Sequence, residues 1–443
     1  MTCSHFVRAR VSSRFAPSLA TGLLSLAIAG CATAPAEPTA TGSINRPQPS
    51  VTGAAVAAPI AAQPAADASA DAQLRLAAWL AEVRAQALAA GVRASTLDAA
   101  LNGVQYLPRV VELDRAQPEY TRPIWDYLDT AVSAQRVTNG REKQAQVQRE
   151  AASAAARYGV PPEVLVAIWG MESNYGGNYG STPTIDALAT LGVDGRREAF
   201  ARRELLAALR IIDLGDVDRE HMIGSWAGAM GQTQFIPTSF LAYAVDADGD
   251  GKRDIWGSMA DVMASTAHFL ARSGWQAGQA WGVEVRLPTG FDPALADPGE
   301  RRPSAQWAAM GVQAIDRTLP DLPDAELLLP TGAQGPAFLV GPNFRAILRY
   351  NNSVSYALAV GLLSQRLGGG PGVVAPWPRE LRPLSRSEMR ELQEALNARG
   401  FDSGTPDGVA GTNTRRAIRA FQRASAMPAD GYPTADLLER VRR

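Results

Sequence analysis

Cysteine is nearly absent. The chain of 443 residues holds two, Cys3 and Cys31, so a disulfide framework is excluded as the basis of its stability. An excess of charge of either sign is missing as well. A formal net charge of −1 argues against general nucleic-acid binding, which calls for a basic surplus. The apolar run at residues 15–29 is too short, and too rich in Ala, Ser and Gly, to span a bilayer. Alternating strand patterns are scarce too, with "WGVEVRLP" at 281–288 and "RAILRY" at 345–350 as the best candidates. What remains is an ordinary globular composition, 46% hydrophobic and 20% charged, in a length that suits two or three domains.

The N-terminus reads as an export segment. Arg8, Arg10 and Arg14 precede the apolar run, in the order of a secretory signal peptide. The run ends "IAGC" at 28–31, which resembles the lipobox of bacterial lipoproteins; a plain signal peptide with a chance cysteine is the alternative. In the lipobox reading, residues 1–31 form the signal, Cys31 is lipidated, and cleavage removes Cys3. The expected location is the periplasm, lipid-anchored to a membrane. Ala32, where an aspartate is absent, points by analogy with enterobacterial sorting to the inner face of the outer membrane. Residues 32–70, Ala, Pro, Thr and Ser with almost no large apolar side chain, read as a disordered tether.

From residue 71 the pattern turns helical. Leu76, Trp79, Leu80 and Val83 share one face, and similar periods recur at 143–158, 161–172, 198–212, 259–273 and 354–367. The domain at 71–367 is therefore expected to be mainly α with a small β element. Glycines and prolines at 368–383 mark a linker, and residues 384–443 suit a small separate module. In that module "SEMRELQEALNARG" reads as a helix closed by Gly400, and "TNTRRAIRAFQRAS" as a helix opened by a Thr cap.

Two stretches carry chemistry. In "VPPEVLVAIWGMESNYGG", Pro161 and Pro162 suit a first helical turn, and Leu165, Ile168 and Glu172 fall on one stripe that Gly176 and Gly177 end. A carboxyl that shares a face with apolar side chains has a raised pKa and can act as a general acid; a structural carboxylate at a helix end is the alternative. In "GSWAGAMGQTQFIPTSF", 224–240, small residues permit close backbone approach, and glutamine amides suit sugar hydroxyls and acetamido groups.

Together with "RYNNSVSYALAVGLL" at 349–363, these blocks resemble the signature segments of the membrane-bound lytic murein transglycosylase B family, in its order and spacing, over residues 71–367. The resemblance implies a lysozyme-like α-helical catalytic domain that cleaves peptidoglycan glycan strands non-hydrolytically, with Glu172 as the single catalytic residue, acid and then base. It implies substrate contacts for Ser225, Gln234, Tyr350, Asn351 and, upstream, Tyr127, while Tyr356 also falls in the third block. Arg196 and Arg197 resemble a pair near the muramic lactyl or peptide carboxylates, though a solvated helix start fits them as well. Gln232 departs from the usual spacing, and its role is open. Cell-wall synthesis proteins are the implied protein partners.

"DADGDGKRD" at 246–254 fits the start of an EF-hand loop, with Asp246, Asp248, Asp250, the Lys252 carbonyl and Asp254 as ligands. Position twelve is Gly257, not glutamate; the resembling family has a longer loop, and Asp261 stands where its last ligand would come. The implied ion is a structural Ca²⁺, with no cofactor needed for the chemistry; an Asp/Gly-rich surface turn is the alternative. Residues 384–443 resemble a three-helix peptidoglycan-binding domain, on Leu392, Gln393, Gly400, "DGVAG" at 407–411, Thr414, Ala417, "FQ" at 421–422 and "DG" at 430–431. A hydrolase on the same fold would need a second carboxylate facing Glu172; apart from Glu163, nine residues earlier in the same helical stretch, no other acidic residue stands in these blocks outside the metal loop.

Overall fold

The computed structural model describes residues 63–116, 122–297 and 299–443, with side chains from residue 71 onward. The signal segment, Cys31 and most of the expected tether lie outside the described residues.

Two helices that are apolar all round sit at the centre, because such a helix has no face to give to solvent. They are α7 (Pro162–Ser173), buried from Val164 to Gly170, and α14 (Val354–Leu367), buried from Tyr356 to Ser364. They pack on each other, and Gly170 and Gly361 leave room for the rings of Tyr175 and Trp281 against them. Around them lie α1 (Gln63–Ala89), α2 (Ala94–Leu101), α3 (Pro108–Arg115), α4 (Ile124–Ala131), α5 (Ala134–Gln146), α6 (Gln148–Tyr158), α8 (Thr184–Asp194), α9 (Glu198–Leu214), α10 (Pro237–Tyr243), α11 (Met259–Arg272) and α13 (Pro342–Tyr350). A two-stranded ribbon, β1 (Thr182–Pro183) against β2 (Ile223–Gly224), brings the glycine-rich segment beside the end of α7. Gly224 is required there, since a Cβ would meet the Ala229 carbonyl oxygen at 1.9 Å.

The β element is larger than the sequence suggests. β3 (Gly282–Arg286), β4 (Arg301–Arg302), β5 (Gln313–Ala314), β6 (Ala325–Leu328) and β8 (Ala337–Val340) form an antiparallel sheet in the order β4-β6-β8-β3-β5, with β7 (Pro330–Ala333) before β8 and α12 (Ser304–Ala309) packed alongside. Its own core holds Val283, Val285, Trp307, Leu327 and Leu339. Alternation turns Glu284 to the other face of β3, where its carboxylate accepts the amides of Val374 and Ala375 at 2.8 Å each and straps the linker to the sheet.

The C-terminal module is α15 (Arg386–Ala398), α16 (Thr412–Ala424) and α17 (Ala435–Arg442) around a separate core of Leu392, Leu396, Ile418, Phe421 and Leu438. Its motif residues build the fold twice over in the same way. The Gln393 amide clasps Asp407 and Gly408, and the Gln422 amide clasps Asp430 and Gly431. The module docks on the sheet domain, Arg419 pairing with Asp297 at 2.7 Å and Asp430 accepting the Ala333 amide at 3.0 Å.

Four expectations change. "RAILRY" is the end of α13, because Pro342 opens a helix and Phe344, Ile347 and Ala346, Tyr350 fall at helical spacings. The 143–158 pattern is two helices broken at Val147 (φ −105°, ψ 20°), a break that no Pro or Gly signals. α1 starts at Gln63, inside the expected tether, where alanines favour helix. α16 has no Thr cap: Gly411 precedes it, and Thr414 instead takes a hydrogen bond from Gln393 at 3.0 Å.

Candidate active site

Glu172 sits in the last turn of α7, and an unusual stop holds it there. Asn174 (φ 49°), Tyr175 (φ 58°) and Gly176 (φ 78°) are all left-handed. Two non-glycine residues in that region need tertiary support. Ser173 supplies part of it, donating to the Trp169 carbonyl and accepting the Gly176 amide, both at 3.0 Å. Tyr175 supplies the rest: its buried ring lies edge-on to Trp169 with centroids 5.7 Å apart, and its hydroxyl donates to the Arg136 carbonyl at 3.0 Å. Gly170 leaves room for that ring, since a Cβ there would meet it at 2.4 Å. Arg136 in turn donates to the Gly170 carbonyl at 2.6 Å and so caps α7.

Three tyrosines from three other helices face the acid. Tyr356, at the start of α14, donates its hydroxyl to Glu172 Oε1 at 2.5 Å. Tyr350, at the end of α13, donates to the Thr233 carbonyl at 2.7 Å, and Tyr127 comes from α4. The Glu172 side chain is partly open to solvent, yet its carboxyl is packed round by protein. Burial raises its pKa and the Tyr356 hydrogen bond lowers it, with a net rise to about 7. Burial and the Glu172 charge push Tyr127 up to about 12 and Tyr350 and Tyr356 well above the ordinary phenol range, so all three stay protonated as donors. Among the described residues no second carboxylate contributes to the shift at Glu172. A carboxyl poised near neutrality in such a site can give a proton and take one back.

The other expected site residues are placed less uniformly. Ser225 opens a turn, its hydroxyl accepting the Ala229 amide at 3.1 Å. Gln234 (φ 52°) bridges the carbonyls of Tyr179 and Gly231 at 2.9 Å each, which ties the loop after α7 to the glycine-rich segment. Asn351 follows Tyr350, and its side-chain oxygen is buried without a protein partner, as is the Thr233 hydroxyl. Arg196 and Arg197 converge on buried Asp114, Arg196 with hydrogen bonds of 2.6 Å to the carboxylate and 2.8 Å to the carbonyl, while Arg197 lies over the Phe200 ring at 4.2 Å. Tyr356 is the residue that sequence reasoning underweighted. It stands in the third signature block, and only the packing of α14 on α7 reveals its contact with the acid.

The acidic loop brings Asp246, Asp248 and Asp261 together, with one oxygen of each within 4.8 Å of the others. Asp261 is buried at the start of α11 and accepts the amides of Ala247 and Asp254 at 2.7 Å, so it closes the loop from below. Asp254 accepts the amides of Trp256 and Gly257, and Asp250 that of Lys252. Three convergent carboxylates in a glycine-bent loop are the hard oxygen donors that a divalent cation such as calcium prefers.

A helical domain with one buried, tyrosine-ringed glutamate and a small second module belongs to the class of lysozyme-like enzymes that act on cell-wall glycan. Comparison narrows this: residues 75–365 match the transglycosylase SLT domain and residues 385–441 the putative peptidoglycan binding domain, so the chain belongs to the SLT-domain lytic transglycosylase family. It is 37% identical over 215 residues to membrane-bound lytic murein transglycosylase B of Escherichia coli K12, a stretch that covers 47% of this chain and 57% of that protein. Thus the alignment spans a little over half the length of that relative. The structure resembles Pseudomonas aeruginosa SltB3 solved with NAG-anhNAM-pentapeptide, with 56% identity, 83% of this chain and 99% of that one covered, and a TM-score of 0.80. It also resembles E. coli Slt35 solved with calcium, with 31% identity, 65% and 92% covered, and a TM-score of 0.57. Among the described residues no helix is long and apolar enough to cross a membrane.

Proposed function

We propose that this chain cleaves the β-1,4 bond between N-acetylmuramic acid and N-acetylglucosamine in peptidoglycan and leaves 1,6-anhydromuramic ends. The observation that carries this reading is the carboxyl of Glu172, ringed by tyrosines and raised to about 7, with no second carboxylate among the described residues acting on it. Hydrolysis in the usual two-carboxyl manner needs an acid and a base or nucleophile. Here one group serves twice. Protonated Glu172 gives its proton to the glycosidic oxygen as that bond breaks, and the substrate's acetamido oxygen supports the positive charge at C1. The Glu172 carboxylate then takes the proton of the 6-hydroxyl as its oxygen bonds to C1, so no water enters.

Tyr127, Tyr350, Asn351, Ser225 and Gln234 are the proposed sugar contacts. The unpartnered oxygens of Asn351 and Thr233 support this, since buried acceptors are costly unless a ligand satisfies them. Arg197 is largely buried, its guanidinium stacked on the Phe200 ring, whereas Arg196 is half-exposed and offers its outer edge to a lactyl or peptide carboxylate. Lipid at Cys31 would hold the enzyme at a membrane in the periplasm, and the C-terminal module would hold it to the wall. Mass spectrometry of muropeptides released from purified peptidoglycan tests the reaction. The expected products are one water lighter than hydrolytic ones; reducing ends instead would make the protein a hydrolase.

Calcium at Asp246, Asp248 and Asp261 is proposed as a structural ion that neutralises three crowded carboxylates and pins the loop between α10 and α11. Adding Ca²⁺ at about a hundred times its Kd is expected to stabilise the fold by about 2.7 kcal/mol. Thermal unfolding of the Asp248→Asn variant, with and without Ca²⁺, checks this; an equal Ca²⁺ response in both proteins would remove the site.

A further inference from the structure

Gln232 stands in the glycine-rich block, where a glutamine amide suits a sugar, yet its side chain is 8% exposed and both ends are taken. Oε1 accepts the indole N–H of Trp169 at 2.8 Å, and Nε2 donates to the Trp256 carbonyl at 2.6 Å. Its backbone amide donates to the Ile255 carbonyl at 2.8 Å. The amide also lies against Gly176, where a Cβ would meet Oε1 at 2.4 Å. Three pieces of the site therefore meet on one side chain. Trp169 is three residues before Glu172 on α7 and packs on Tyr175, the left-handed residue of the stop. Trp256 leads into the acidic loop through Asp254, which accepts its amide at 2.8 Å. Thr233, the next residue, supplies the carbonyl that holds Tyr350.

We propose that Gln232 is a positioning residue for Glu172, a buried amide strut that locks the last turn of α7, through Trp169, to the acidic loop and the glycine-rich segment. This rests on the reading of Glu172 as the acid. With both polar ends used inside the protein, Gln232 acts through Trp169 and does not touch sugar. Chemistry at Glu172 depends on sub-ångström placement, so loss of the strut is read first in kcat.

The test uses the full chain, soluble glycan fragments of peptidoglycan as substrate, and the variants Gln232→Met, Trp169→Phe and their double. Met keeps the volume and loses both hydrogen bonds; Phe keeps most of the ring and loses only the indole donor. The expected result is a fall in kcat of about tenfold to a hundredfold for Gln232→Met with KM within about twofold. Trp169→Phe should shift kcat in the same direction by less, and the double variant should be no worse than Gln232→Met, since both remove one coupled contact. A raised KM at unchanged kcat, wild-type kcat, or additive losses would overturn the proposal. If Gln232→Met does not fold, Trp169→Phe alone decides, by its split between kcat and KM. Glu172→Gln run beside them separates the two readings. Turnover surviving in Glu172→Gln sinks the assignment of the acid, whereas normal kcat in Gln232→Met with Glu172→Gln inactive sinks only the strut.

Discussion

Glu172→Gln is expected to abolish turnover, with a loss on the order of 10³-fold or more, because in the proposed reaction one group supplies both proton transfers. The isosteric amide keeps the shape of the site, so binding of peptidoglycan fragments should persist. The proposed reaction in the parent chain starts from the protonated acid, so the rate should fall as pH rises through about 7, the value to which burial lifts Glu172. Stability follows the same titration. The folded pKa lies above the ordinary value of 4.5, so the folded state binds the proton more tightly than the unfolded chain. The Glu172 contribution is therefore fully present below about pH 4.5 and is lost as pH rises through about 7. Glutamine does not titrate. The variant should match the parent near pH 4 and exceed it by about 1–2 kcal/mol at pH 8, a figure reduced for the partial opening to solvent. Muropeptide release together with thermal unfolding at both pH values checks the two halves. A variant that still cleaves, or a stability difference independent of pH, would remove Glu172 as a buried acid.

Tyr356→Phe is expected to lower kcat by about tenfold to a hundredfold and to move the basic limb of the pH profile upward. The direction follows from the hydrogen bond. The hydroxyl donates to Glu172 Oε1 and favours the carboxylate, which partly offsets burial. Without it the acid holds its proton to higher pH, yet the carboxylate that in the proposed reaction accepts the 6-hydroxyl proton loses the Tyr356 donor. The phenyl ring fills the same space, so the fold should hold. A pH–rate profile whose basic limb stays in place would show that the 2.5 Å contact does not operate in the enzyme.

Much of the architecture was legible because the period of the apolar residues reports burial directly. α7, α9, α11 and α14 lie where helical spacing places them, and β3 where alternation does. Errors arose where the local pattern admits two readings. The stretch "RAILRY" is a short apolar run between arginines that suits a strand as well as a helix, but Pro342 and Phe344 before it belong to the same helix. Val147 breaks a helix without any breaker residue, since burial in the main core decides the turn. Short strands such as β4 and β5 are two residues each, too brief for any period to register.

By itself the sequence determined that Glu172 ends an apolar helix, that Pro162 opens that helix, and that the aspartates of the acidic loop lie close together. These are short-range consequences of spacing along one element. Tertiary structure alone decided what surrounds the acid. Tyr127 arrives from α4, Tyr350 from α13 and Tyr356 from a position 184 residues away, and it is their packing that desolvates the carboxyl and hydrogen-bonds it. The same holds for Gln232, whose role the sequence leaves open and whose amide the fold ties to Trp169 and Trp256. A side chain's chemistry is local, but its partners are set by which helices the core brings together.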